Sequence, residues 1–150
     1  MPKRASPSTA PDLLLDHQLC FALYSTSLSM TKIYKPLLAG LGLTYPQYLV
    51  MLVLWESDGL MVSEIGDRLF LDSGTLTPLL KRLESGGLIV RFRDERDERC
   101  VRVKLSPEGR RLRARAARIP ACILDSVQCT VPQITGLVDD IKALRTKLAN

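Results

Sequence analysis

The run Asp72-Ser-Gly-Thr-Leu-Thr-Pro-Leu-Leu-Lys-Arg-Leu-Glu-Ser-Gly-Gly87 decides the fold of this chain. Asp72 is a strong helix N-cap, because its carboxylate accepts an orphan N–H of the first turn. Leu76, Leu79, Leu80 and Leu83 then recur on one helical face. Gly86-Gly87 supplies the left-handed residue that closes a helix. Upstream, residues 63–69 read as a short helix with Ile65 and Leu69 facing inward. Phe70-Leu71-Asp72 joins the two, a connection of helix-turn-helix size. Downstream the period changes. Residues 88–93 and 100–105 are short β-branched runs, and in the second Val101, Val103 and Leu105 alternate with Arg102 and Lys104. The charged stretch Asp94-Glu95-Arg96-Asp97-Glu98-Arg99 lies between them as a hairpin tip. Helix, helix, Gly-Gly and hairpin make a winged helix-turn-helix.

Working outward, Thr44-Tyr45-Pro46-Gln47 reads as a capping box ahead of the apolar stretch 48–55. Before it, Leu15, Leu19, Leu23, Leu28, Ile33 and Leu37 predict a helix over about residues 12–40, kinked or ended by Pro36. After the wing, Ser106-Pro107 opens an Arg- and Ala-rich helix, which Pro120 is expected to kink. A final helix after Pro132 carries Ile134, Leu137, Ile141, Leu144 and Leu148 on one stripe. Terminal helices with apolar stripes flanking a small module need a surface to bury them. A two-fold homodimer is one solution, and folding back within one chain is the other. The expected architecture is mainly α with a small β-hairpin wing. Residues 44–105 form the DNA-binding module, and residues 12–42 and 106–150 supply dimerisation helices within one domain, 12–150.

The composition of the 150-residue chain is 46% hydrophobic and 25% charged, as in globular proteins. No apolar run is long enough to span a bilayer, so no membrane role is expected. Residues 1–11 carry Lys3 and Arg4 without an apolar core behind them, which reads as a disordered lead-in rather than a secretory signal. That reading points to a reducing cytoplasm, where four cysteines do not form structural disulfides. Cys20, Cys100, Cys122 and Cys129 include no C-x-x-C pair, and His17 lies near Cys20 alone, so neither a metal site nor a cofactor is expected. Charge is uneven. Residues 81–118 hold thirteen Lys and Arg against six Asp and Glu, a net of +7 in a chain of net +5. Such a segment suits a polyanion partner, although solvated helix faces also account for many basic runs.

Asp72 to Glu84, Asp97-Glu-Arg99 and Leu105-Ser-Pro-Glu-Gly-Arg110 resemble the MarR family of winged-helix regulators. Leu19-Cys-Phe-Ala-Leu-Tyr-Ser-Thr-Ser27 and Leu43-Thr-Tyr-Pro-Gln-Tyr-Leu-Val50 resemble its organic-hydroperoxide-sensing branch. The likeness covers about residues 12–118 well and the C-terminal third loosely. It implies a homodimeric repressor on a palindromic double-stranded DNA operator. Ser73, Thr75 and Thr77 then supply hydroxyls at the start of the recognition helix, while Lys81 and Arg82 suit phosphates. Arg96 and Arg99 at the wing tip suit a narrow minor groove, with Asp97 holding Arg99.

By default Cys20, among apolar residues, is an inert core filler. The resemblance implies instead that it is the redox sensor, supported by Tyr24 one turn along its helix and by Tyr34 and Tyr45 from the opposite protomer. Phenolic donors would favour the thiolate. The apolar residues Leu19, Phe21, Leu23 and Met51 would suit an organic peroxide. In two-cysteine members the resolving thiol lies about five residues after Pro120, where this chain has Asp125. Cys129, near the break before Pro132, is the preferred resolver, with Cys122 or a small cellular thiol as alternatives. Cys100 reads as structural. Three other readings stay open: a thiol peroxidase enzyme, a repressor released by a non-redox phenolic ligand, and a constitutive architectural DNA binder.

Overall fold

The computed structural model describes residues 12–149. The lead-in read over residues 1–11 lies outside them. A single 3₁₀ turn, Leu15–His17, precedes α1 (Leu19–Ala39), α2 (Tyr45–Glu56), α3 (Val62–Leu69) and α4 (Ser73–Ser85). The hairpin β1 (Ile89–Arg93) and β2 (Val101–Leu105) follows, then α5 (Pro107–Ala116), α6 (Ile119–Val127) and α7 (Val131–Leu148). The hairpin is antiparallel, with Ile89 opposite Leu105 and Arg93 opposite Val101. Met61 bridges Arg102, and the Val103 N–H donates to the Leu60 carbonyl at 2.8 Å, so the segment before α3 adds a short third edge.

Local chemistry sets most boundaries. Thr44 and Gln47 form the reciprocal capping box, with the Thr44 N–H donating to Gln47 Oε1 at 2.9 Å. Asp72 Oδ1 accepts the Thr75 N–H at 2.7 Å and starts α4. Gly87, at φ 77°, ends it. Ser106 is buried and serves both sides of the wing root. Its Oγ donates to the Gly87 carbonyl at 2.6 Å and accepts the Gly109 N–H at 3.0 Å.

Two proline expectations need correction. Pro36 does not end α1, which continues to Ala39. It stands in the last turn, where few following residues depend on the lost hydrogen bond, and Gly42 at φ 69° makes the exit. Pro120 does more than kink a helix. α5 stops at Ala116, and Pro120 lies in the first turn of α6, where its missing N–H is no loss. The first helix also starts later than its leucines suggest. Gln18 is extended and its amide donates to the Asp12 and Leu14 carbonyls, so Cys20 falls in the first turn of α1.

One core joins α1 to α6. Leu38, Val50, Met51, Leu54, Ile65, Leu76, Leu80, Leu83, Ile89, Val103 and Ile119 are fully or nearly fully buried in it. α5 sits hard against the wing root: a Cβ on Gly109 would drive into the Leu88 carbonyl oxygen, and Trp55 Nε1 donates to the Gly109 carbonyl at 2.9 Å. α7 is different. It carries its own capping box, Thr130 with Gln133, and buries none of its residues. The exposed apolar side chains of α7 include Val131, Leu137, Val138, Ile141 and Leu148, and those near the start of α1 include Leu19, Phe21, Leu23 and Leu28. Phe70, which closes α3, is held at φ 57°. That conformation costs a non-glycine residue about 1–3 kcal/mol. Among the described residues no helix is long and apolar enough to cross a membrane.

Candidate nucleic-acid interface and cysteine site

α4 exposes Ser73, Thr75, Lys81 and Arg82 while its leucines face the core. Thr77 is half-buried instead. It lines a groove of about 300 Å³ with Ser63, Arg91, Arg99 and Cys100, between α3, α4 and the wing. Asp72, at the head of α4, is held below the usual carboxylate range by the Thr75 backbone N–H, so the cap stays charged at neutral pH.

The wing is braced by side chains that sequence reading did not single out. Glu84, near the end of α4, accepts the Arg91 backbone N–H at 2.9 Å and its guanidinium at 3.0 Å. Arg102 donates to Asp94 at 2.7 Å and to the Gly59 carbonyl at 3.0 Å. Asp58 Oδ1 accepts the N–H groups of Gly59 and Leu105, both at 2.9 Å. Arg91 and Arg102, counted in the sequence as part of a basic run, are therefore committed to carboxylates of their own chain. No periodicity announces such pairs, since their partners are seven or eight residues away on a different element or a loop.

At the tip, Arg99 Nε donates to Asp97 Oδ1 at 3.1 Å, while the Arg99 side chain is 91% exposed. The hydrogen bond from Arg99 holds Asp97 below the usual carboxylate range. The Arg96 N–H and the Arg102 guanidinium do the same for Asp94. The Arg96 side chain is exposed, and its charge lies close enough to Asp94 to favour that carboxylate. The Cys100 thiol lies 3.7 Å from Asp97 Oδ2, and partial burial with that carboxylate pushes the thiol up from its ordinary pKa.

Cys20 is exposed, with Leu19, Phe21 and Leu23 exposed around it and Tyr24 65% exposed one turn on. Met51 lies elsewhere. It is wholly buried in the core and offers no surface to a molecule at Cys20, because α2 turns that side chain inward. Tyr34, Tyr45 and Tyr48 form a cluster, with ring centroids 4.8 Å apart for Tyr34 and Tyr45 and 5.9 Å for Tyr34 and Tyr48. Burial, with Tyr45 and Tyr48 beside it, pushes Tyr34 up to about 12, so it remains an O–H donor at neutral pH. A crevice of about 600 Å³ between α1, the start of α2 and α7 is lined by Leu23, Met30, Tyr34, Tyr45, Val138 and Ile141. Tyr34 is fourteen residues beyond Cys20 on the same helix, a rise of roughly 21 Å, and so cannot touch the sulfur of its own chain.

Cys122 lies within α6, and Cys129 lies in the link to α7 just after Gln128, which is left-handed at φ 53°. The Cys129 thiol donates to the Val127 carbonyl at 3.3 Å. All four cysteines are free thiols. The described residues contain no group of three or more His, Cys, Asp or Glu side chains arranged to hold a metal ion.

The family described as transcriptional regulator SarA/Rot matches residues 32–115. The organic hydroperoxide resistance transcriptional regulator of Bacillus subtilis is 56% identical over 110 residues, covering 73% of this chain and 75% of that protein. The HTH-type transcriptional regulator TtmR of Methylorubrum extorquens is 49% identical over 89% of this chain and 69% of its own length. Among solved structures, the regulator AbfR of Staphylococcus epidermidis is similar in several states. Reduced and bound to DNA, it superposes with a TM-score of 0.76 at 32% identity, covering 91% of this chain and 95% of that one. Its disulfide-formed structure superposes at 0.60 with 35% identity, covering 87% and 91%. These relatives are named as regulators and not as enzymes, which removes the thiol peroxidase reading. The chain belongs to the MarR-type winged-helix transcriptional regulators of the SarA/Rot family, in the branch that includes the organic hydroperoxide resistance regulators.

Proposed function

We propose that this chain is a homodimeric repressor of the cytoplasm that binds a palindromic operator and leaves it when an organic hydroperoxide oxidises Cys20. The observation that carries the reading is the position of Cys20 inside an apolar strip that the chain leaves uncovered, out of reach of its own Tyr34. A second copy covering that strip brings Tyr34 and Tyr45 of one protomer to the sulfur of the other. The likeness to the DNA-bound form of AbfR, closer than to its disulfide form, supports reading this conformation as the operator-binding one.

In the chemistry proposed, the Cys20 thiolate attacks the distal peroxide oxygen and the O–O bond breaks. The alkoxide leaves and takes a proton to become the alcohol, and sulfur keeps one oxygen as a sulfenic acid. A second thiol then attacks the sulfenic sulfur, releasing water and leaving a disulfide. Cys129 is the favoured second thiol, because the left-handed Gln128 breaks the helix beside it. Cys122 and a small cellular thiol are the alternatives. Losing hundredfold in operator affinity requires only about 2.7 kcal/mol, within reach of one rearranged interface.

On the DNA side, Ser73, Thr75 and Thr77 read base edges or phosphates, Lys81 and Arg82 take phosphates, and Arg96 and Arg99 enter the minor groove beside the wing. Asp97 presents Arg99 in a fixed direction. Arg99→Ala is expected to weaken operator binding by about 1–3 kcal/mol in a gel-shift titration. Unchanged affinity removes Arg99 from the interface.

The deciding experiment treats operator-bound wild type and Cys20→Ser with one equivalent of cumene hydroperoxide per subunit. Wild type is expected to lose about a hundredfold in affinity and to gain an oxygen or a disulfide by intact mass. Cys20→Ser is expected to stay bound. Equal release of both proteins refutes the redox reading and favours a non-redox ligand in the Tyr34 crevice.

A further inference from the structure

Phe70 occupies a left-handed position at the bend between α3 and α4, where a glycine or asparagine meets less crowding. Burial does not place it there, because the residue is 65% exposed. Its ring faces a cation from a distant part of the chain. The guanidinium carbon of Arg145, in the last turn of α7, lies 4.1 Å from the ring centroid. That is within the range of a cation–π contact. The bend itself is short and stiff. The Leu71 N–H donates to the Gly66 carbonyl at 3.0 Å, and Asp72, one residue further, caps α4. A force on the ring therefore reaches the head of the recognition helix within two residues.

We propose that Arg145 is a positioning residue for DNA reading: stacked on Phe70, it holds the α3–α4 bend and joins α7 to the recognition helix. α7 buries none of its own side chains, so its hold on the DNA-reading module depends on contacts of this kind. Its eighteen residues make a rod about 27 Å long, with Cys129 just before one end and Arg145 near the other. Where Cys129 moves on oxidation, the rod carries that movement to α4. The proposal needs only that the chain binds DNA, and it stands or falls apart from the peroxide chemistry.

The test is a double-mutant cycle on the full-length reduced protein, read by fluorescence anisotropy on an operator fragment over a range of salt. Arg145→Ala and Phe70→Leu are each expected to weaken binding about three- to tenfold, with the double variant no weaker than the worse single one. The dependence of affinity on salt should be unchanged. Wild-type affinity in Arg145→Ala overturns the proposal, as do additive losses in the double variant. A salt slope lower by about one also overturns it, since Arg145 would then be touching a phosphate directly. Circular dichroism and sedimentation of the variants, matching wild type, keep a folding defect out of the comparison.

Discussion

A chain carrying Leu137→Glu and Leu148→Glu is expected to sediment as a monomer and to bind the operator at least about 100-fold more weakly than wild type. Leu137 is 56% exposed and Leu148 75% exposed on α7, so neither contributes to the core of its own chain. Both lie on the stripe that repeats along one face of that helix. A carboxylate buried there without a partner costs several kcal/mol, roughly 2–7 even for an uncharged polar group. Two modules held together gain about 10²–10⁴ in affinity over one, and separating them forfeits that gain. Analytical ultracentrifugation and anisotropy titration check the two parts separately. A double variant that remains dimeric with wild-type affinity removes α7 from the dimer interface. Far-UV circular dichroism should be unchanged in either case.

The second large effect concerns stability. Gly109→Ala is expected to cost about 3 kcal/mol, the upper part of the usual range for overpacking. The added methyl meets the Leu88 carbonyl oxygen and the Leu105 side chain. The carbonyl cannot retreat freely, because it accepts the Ser106 N–H at 3.0 Å. Nor can α5 lift away without losing the bond from Trp55 Nε1 to the Gly109 carbonyl. At about 2–4 °C per kcal/mol for a chain of this size, the midpoint of thermal unfolding should fall by roughly 6–12 °C. Gly136→Ala is the control. A Cβ there meets nothing within 4 Å, so the substitution should leave the midpoint unchanged or raise it through helix propensity. Equal midpoints for Gly109→Ala and wild type show that the wing root has slack the geometry does not suggest.

Gly109 also illustrates what sequence reading can and cannot reach. The motif around Leu105 to Arg110 resembled a known family, but nothing in the spacing explained its glycine. The close approach of the Leu88 carbonyl, twenty-one residues earlier, comes only from the folded wing. Elements whose causes are local were legible. The Asp72 cap, the Thr44–Gln47 box and the leucine face of α4 depend on residues within a turn or two, and they stand where the pattern placed them. The start of α1 was misplaced because Leu13, Leu14 and Leu15 continue the apolar pattern while Gln18 turns back onto Asp12. The basic run overstated the free positive charge because Glu84 and Asp94 draw Arg91 and Arg102 into the scaffold. The Arg145–Phe70 contact spans half the length of the chain and leaves no mark on either local sequence.

The candidate cysteine site was legible in kind but not in construction. Cys20, Tyr34 and Tyr45 could each be named from the sequence, yet the helix between Cys20 and Tyr34 keeps those two apart within one molecule. In the proposed dimer the missing geometry belongs to a relation between two chains, which no single run of residues encodes.

The bare flank of α7 has a bearing on abundance. In the proposed dimer the apolar stripe of α7 is covered by a second copy, so its burial is governed by mass action, and dilution unsettles it while the rest of the molecule stays intact. On that proposal the number of regulator molecules in a cell sets two things together: how often the operator is occupied, and how firmly the last helix of each molecule is kept in place.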